Sequence, residues 1–483
     1  MKKLILATIL LTISVLSVNA QRYFGIATSN WSGTAGMYLN PANIADSRAK
    51  FSIDLFSMNF GVDNDLGKVS LSSFFSAFSG SNSKLDAAFT SYSSKPNFSL
   101  LLPYMEMRLP GAMVSLDHKS SIAISPRIRI INQFNNFSQN IFHTAIDSTF
   151  SPNQDYSLNS KNFNWTMQAW AEMNVTYARI LYENDAHMLK AGVTLRYMIG
   201  LAYISIKGNN LDATFYHTND SLAVKNTDVE YASNIPDSLG SNLSDIFSQF
   251  GKQTGHGFGA DFGVVYEYRP DFKDYIVDAK NNILDPSSNK YKIRLSLSVT
   301  DIGSITYNNN LTGTASGNGS ISSGVLIKDF LSIHSFKDYA SSRGFNFDTS
   351  VGTVKVHMPT ALVAAADYYI GYHFYVNATY IGNLVNRQDI GNSYYNQITI
   401  TPRFDTKFYS LGLPITYSSL SGAIKAGFGM RMGGFFIGSD DVLAFVSNAS
   451  GVNFYAGLSV PINKKAIKSK DAGPAPDAPV IGK

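Results

Sequence analysis

The chain has 483 residues, a net charge of +4, 15% charged residues and no cysteine. So small a charge argues against nucleic acid as a partner, and a cysteine-free chain has no disulfide, thiolate metal site or thiol nucleophile. With 32 Phe and 27 Tyr and a mean hydropathy of -0.04, it is too aromatic for a disordered chain and too polar for a bundle of membrane helices.

Residues 1–20 read as a secretory signal: a basic Met1-Lys2-Lys3 start, an apolar run from Leu4 to Val18, and a small-residue end at Ala20. Residues 21–49 form a separate N-terminal segment, where Gly25, Gly33, Gly36 and Pro41 favour turns over a regular element. From about residue 50 to 462 the dominant signal is a period of two. Trp165, Met167, Ala169, Ala171, Met173, Val175 and Tyr177 oppose Thr166, Gln168, Trp170, Glu172, Asn174 and Thr176. After a turn at Tyr182–His187, Leu189 to Tyr203 repeats the pattern, with Arg196 and Thr194 on the polar side. The same holds for Phe258–Arg269, for Tyr291–Thr300, and for a strand beginning near Tyr369 and running through Tyr372 to Tyr380.

Alternate residues of a strand face opposite sides, so each segment has one apolar face. Many reach the roughly 9–11 residues that a transmembrane strand needs, and tyrosines close several apolar faces as at a membrane interface. The polar faces carry Glu172, Arg196, Asp261 and Arg294. Such side chains suit a hydrated lumen better than a packed core, so these four are expected to face the lumen. A soluble β-sandwich or lipocalin-like barrel is the competing architecture. The expected fold is therefore all-β, an antiparallel transmembrane barrel of about fourteen strands, closed because lipid leaves no partner for an open edge.

Polar inserts at roughly 62–96, 132–162, 208–256, 304–350 and 434–450 read as loops. Three carry helical stripes: Leu71 to Phe78, Phe330 to Tyr339, and a stripe after Ser238 that includes Leu243, Phe247 and Phe250. These stripes cover the barrel rim or line an entrance for a greasy ligand. Residues 463–483, rich in Pro, Ala and Lys, read as a disordered periplasmic tail.

Three stretches resemble known outer-membrane proteins. NWSGTAGMYLNPANIAD at 30–46, centred on Asn40, Pro41 and Ala42, resembles the N-terminal segment of the FadL (long-chain fatty-acid transporter) superfamily. LSLSVTDIGSITY at 295–307 resembles a strand of PorV-like relatives, and GFGMRMGGFFIGSDDV at 427–442 with NFYAGLSVPI at 453–462 resembles the C-terminal signature of an uncharacterised family in that superfamily. The resemblance implies a fourteen-stranded barrel in the outer membrane of a Gram-negative bacterium, with residues 21–49 as a lumenal plug. It implies passive transport of small hydrophobic or amphipathic compounds, or a PorV-like scaffold for type 9 secretion or surface assembly. The partners expected are outer-membrane lipids, a small hydrophobic ligand, and secretion or surface proteins.

Catalytic and metal chemistry is not expected. The eight histidines show no HExxH or paired spacing, and no GxSxG elbow occurs. Asp63-Asn64-Asp65-Leu66-Gly67 lacks a twelfth-position glutamate, Phe74 standing there, and reads as a strand-end turn. Asp440-Asp441 reads as an exposed turn. No cofactor is expected. Gly255 to Gly263 admits a kinked, laterally open wall, or more plainly accommodates bulk inside the lumen.

Overall fold

The computed structural model describes residues 23–70, 89–146, 154–219, 221–234, 254–278, 283–322, 341–443 and 448–465. The signal segment, the three helical stripes (with Leu243, Phe247 and Phe250) and most of the tail lie outside the described residues. A single antiparallel sheet of 20 strand segments dominates. It closes on itself: Ala49–Asn64 pairs with the last strand, Gly451–Asn463, through a register that runs from Ala49↔Asn463 to Asp63↔Gly451. Among the described residues, no helix is long and apolar enough to cross a membrane.

Several segments lie end to end at one place in the wall. Asn97–Arg108 and Gly111–Ser115 both pair with Ala49–Asn64. Ser221–Ser233 and Gly255–Tyr268 both fill the space between His187–Tyr216 and Ile293–Ser322. Phe345–His357 and Ala361–Gly371 follow one another along Ile293–Ser322. Short turns such as Asp185–Ala186 lie at one end of the barrel, and the longer connections lie at the other.

The wall is uneven in height. His187–Tyr216 and Ile293–Ser322 each run 30 residues, whereas Gln397–Asp405 has 9. The turn-end part of every long strand carries the apolar face outward: Leu195 is 61% exposed and Phe258 71%, with Met173, Val264, Leu297, Ile400, Ile415 and Val460 also exposed round the ring. The outer surface is thus a continuous apolar belt about one strand-crossing tall.

Four expectations need correction. Trp165 and Ala169 are buried, although Met173, Val175 and Tyr177 on the same face are exposed. The strand has 25 residues, more than a crossing needs, and its surplus is packed over: Trp165 stacks on Phe134 at 5.4 Å and 3°. Second, Tyr203 does not continue the outward row. Ala169 pairs with Ala202 but Trp170 with Gly200, a bulge that adds one residue and flips the faces. Tyr203 consequently turns inward and stacks on Tyr307 at 5.2 Å. Third, no strand runs through Tyr372. Tyr372 and His373 take positive φ of 48° and 69° and turn Ala361–Gly371 into Phe374–Asn383. Fourth, the inserts 208–256 and 304–350 are partly strand, as Ser221–Ser233 and Phe345–His357 show.

Candidate functional site

Residues 23–48 leave the wall and lie inside the ring. They form an α-helical turn at Phe24–Ala27 and 3-10 turns at Gly33–Tyr38 and Pro41–Ile44. Asn40 caps the last of these, accepting from Ala42 N–H at 2.9 Å, with proline at the first helical position. The Asn40 amide then donates to the carbonyls of Val264 and Leu297 at 3.0 and 3.1 Å and to Ser296 Oγ at 2.8 Å. These bonds consume its polar capacity in a buried place, as burial demands.

The wall is hollowed to receive this motif. Gly192 and Gly263 are register partners on adjacent strands. A Cβ at Gly263 would come 2.0 Å from Asn40 Oδ1, and one at Gly192 would come 2.5 Å from Ala42 N. Glycine is required there for close approach. Gly263 therefore accommodates material inside the ring, the plainer of the two sequence readings. Across the ring, a Cβ on Gly25 would lie 2.6 Å from Gly429 Cα, so the chain passes backbone to backbone. Phe24 N–H donates to Asp440 at 3.1 Å, and Ser29 Oγ to Asp405 at 2.8 Å. Asp440 and Asp441 are buried, not an exposed turn.

Glu172, Arg196 and Asp261 come together in one buried ionic cluster. Arg196 bonds both Asp261 and Asp301, and Arg127 bonds Glu172 and, at 3.0 Å, Glu106. Arg108 meets Glu106 at 2.8 Å, and Arg129 meets Asp301 at 2.9 Å. Four arginines thus face four carboxylates and the cluster is neutral as a whole. Arg108 lies over the rings of Tyr23 and Tyr38 at 4.2 and 4.1 Å, coupling the cluster to the inner segment by cation–π contact. From the long-loop end, residues 384–396 also fold inward: Tyr394 donates to Asp301 at 2.7 Å, and Ser393 N–H to Gln133 at 2.9 Å.

Arg294 stands apart, bonding Asp367 at 3.1 Å and Asn30 at 3.2 Å. Sequence reasoning missed Asp301, Glu106, Arg127, Arg129 and the inward loop at Tyr394. A signal existed for three of them: Glu106-Met107-Arg108 and Arg127-Ile128-Arg129 place like-facing charges two apart, the strand period. Nothing in the sequence pairs them across the six strands that the cluster joins.

The interior is closely filled. Cavities at its centre measure only about 10 Å³ by Tyr38 and Arg127 and about 20 Å³ by Thr28 and Asn377. A larger cavity of about 440 Å³ lies on the long-loop side, lined by Tyr231, Ala232, Val354 and Ile390 with Lys207 and Glu230. Among the described residues, no group of three or more His, Cys, Asp or Glu is placed to hold a metal ion. The strand-end turn at Asp63–Gly67 is closed by Gly67 N–H donating to Asn64 at 2.7 Å.

Several solved outer-membrane proteins are similar in fold. The toluene transporter TbuX of Ralstonia pickettii aligns at 9% identity over 92% of this chain and 99% of its own, with a TM-score of 0.40. A Pseudomonas aeruginosa FadL homologue aligns at 9% identity over 92% and 100%, TM-score 0.30. The toluene transporter TodX of Pseudomonas putida aligns at 8% over 92% and 97%, TM-score 0.28. No curated protein matches the chain. Residues 41–440 match a family described as "Family of unknown function (DUF5723)", and the chain belongs to that family.

Proposed function

We propose that the protein is an outer-membrane barrel in which residues 23–48 act as a plug, and that it passes small hydrophobic or amphipathic compounds passively. Grouping the end-to-end segments gives fourteen wall positions, an even number that leaves both chain ends on the periplasmic side. The apolar belt supports the membrane placement, since a ring of exposed Leu, Ile, Phe and Val is stable only against lipid.

The observation that carries the transport reading is the cavity of about 440 Å³ on the long-loop side, above a lumen closed by non-covalent contacts alone. Its walls combine apolar Tyr231, Val354 and Ile390 with Lys207 and Glu230, the mixed lining that suits an amphipathic molecule. Release past the inner segment requires that segment to shift. Arg196 is spoken for by Asp261 and Asp301 and is not free to attract an anionic head group. No observed contact favours the scaffold alternative.

Reconstitution into liposomes tests this. Wild-type protein is expected to admit a small hydrophobic cargo, and a variant lacking residues 23–46 to leak hydrophilic solutes as well. Wild-type flux equal to protein-free liposomes, together with secreted proteins accumulating in a deletion strain, would overturn transport in favour of the scaffold.

A further inference from the structure

The turn-side mouth of the barrel contains a second polar cavity, between the inner segment and the wall. It measures about 30 Å³ and is lined by Asn30, Asp46 and Arg48 from the inner segment and by Lys190, Glu267, Lys290 and Arg294 from the wall side. A single water needs roughly 10–15 Å³ by this measure, so the space fits about two oxygen-sized groups, the dimensions of a carboxylate.

The charges around it do not balance. Asp46 is shared by Arg48 and Arg269, and Glu267 by Lys190 at 2.6 Å and Arg269 at 2.6 Å. Asp367 is likewise divided between Arg294 at 3.1 Å and Arg403 at 2.6 Å. Each of these three carboxylates is thus already committed to two cations, and with Glu183 on Arg269 at 3.2 Å and Asp405 on Arg403 at 3.6 Å five carboxylates meet five cations. Lys290 is left over. It is 6% exposed, its amine donates to the Ser288 carbonyl at 3.1 Å, and among the described residues no carboxylate lies within ion-pair range. Burial, with Arg48 beside it, pushes its amine down to about 7. A buried ammonium without a counter-ion is costly.

Donors without acceptors point the same way. The Asn30 side-chain oxygen is occupied by Tyr291 at 2.5 Å and Arg294 at 3.2 Å, yet its amide nitrogen is buried with no partner. We propose that this mouth is a binding site for a carboxylate anion, held by Lys290 and Asn30 beside Arg48, whose own donors already meet Asp46 and the Ser288 carbonyl. Such an anion bridges the inner segment to the wall, because Asn30 and Arg48 belong to one and Lys290 to the other. The site stands whether or not cargo crosses the barrel. The carboxylate comes either from a small free acid or from the head group of a longer amphiphile.

The test uses the purified full-length protein in detergent micelles and acetate as probe, followed by ligand-observed NMR. Saturable binding is expected, weakened at least tenfold in Lys290→Met and restored in Lys290→Arg. Lys119→Met, which removes a charge at a different turn, is expected to bind as wild type. Dodecanoate binding tenfold tighter than acetate assigns the site to an amphiphile head group, and equal binding assigns it to a free acid; both uphold it. Absence of saturable acetate binding, or equal affinity in wild type and a folded Lys290→Met, would overturn the proposal.

Discussion

Asp301 is the residue on which the interior turns. It accepts from Arg129 at 2.9 Å and from Tyr394 at 2.7 Å, and it also bonds Arg196. Its backbone holds a positive φ of 59°, a conformation that a non-glycine residue adopts only when its surroundings fix it. Replacing it by asparagine keeps the shape but leaves four buried arginines facing three carboxylates. Breaking a buried ion pair in this way costs about 3–5 kcal/mol, and Asp301 faces Arg127, Arg129 and Arg196 at once. Tyr394→Phe removes two charge-assisted hydrogen bonds, to Asp301 and from Arg129, worth roughly 1.5–3 kcal/mol each, but leaves every carboxylate of the cluster in place. Urea unfolding of the refolded barrel should therefore rank Asp301→Asn below Tyr394→Phe, since only the former takes a charge from three arginines. Equal midpoints would mean that the cluster does not hold the interior together.

At the level of single strands, neighbouring residues answer to different surroundings. Leu195 lies in the exposed apolar belt and Thr194 is 3% exposed, its hydroxyl 2.8 Å from that of Thr176. Leu195→Arg is expected to impair assembly by about 2–4 kcal/mol near the bilayer midplane. Thr194→Arg should assemble but disturb the inner segment, since its row includes Gly192, the floor under Ala42. Folded yield on heat-modifiability gels, paired with solute leak, separates the two; equal loss of folded protein would contradict the assigned faces. Strands with an apolar side were legible in the sequence for this reason: exposed apolar side chains outside and polar groups inside impose a strict alternation. Legibility ended where that contrast ended. Leu311 to Ser322 is strand through its pairing with Ser221–Ser233, yet Thr, Gly, Ser and Asn alternate there with one another. The turn at Tyr372-His373 was hidden too, because neither residue is the glycine or asparagine that usually signals positive φ.

For the molecule as a whole, the interior and the wall are one construction. The inner segment is seated on paired glycines, capped by Asn40, pinned by Asp440 and Asp405, and overlaid by Arg108. The motif Asn40-Pro41-Ala42 could be picked out from the sequence, as could the charged inner faces of several strands. Their joining could not, since Arg196, Asp261 and Asp301 stand on three neighbouring strands far apart in sequence and meet only once those strands pair in register. The same is true of the carboxylate site, built from residues as far apart as Asn30 and Lys290. The proposed transport through a ring filled by this segment predicts that passage depends on freeing it. Ser29 Oγ and Ser410 Oγ lie 3.3 Å apart, one on the inner segment and the other on the wall, and the chain has no native cysteine. Cargo flux through liposomes carrying the Ser29→Cys/Ser410→Cys double variant is the most direct measurement. Flux should stop when the pair is oxidised and return on reduction, whereas undiminished flux with the disulfide formed would contradict a plug that must move.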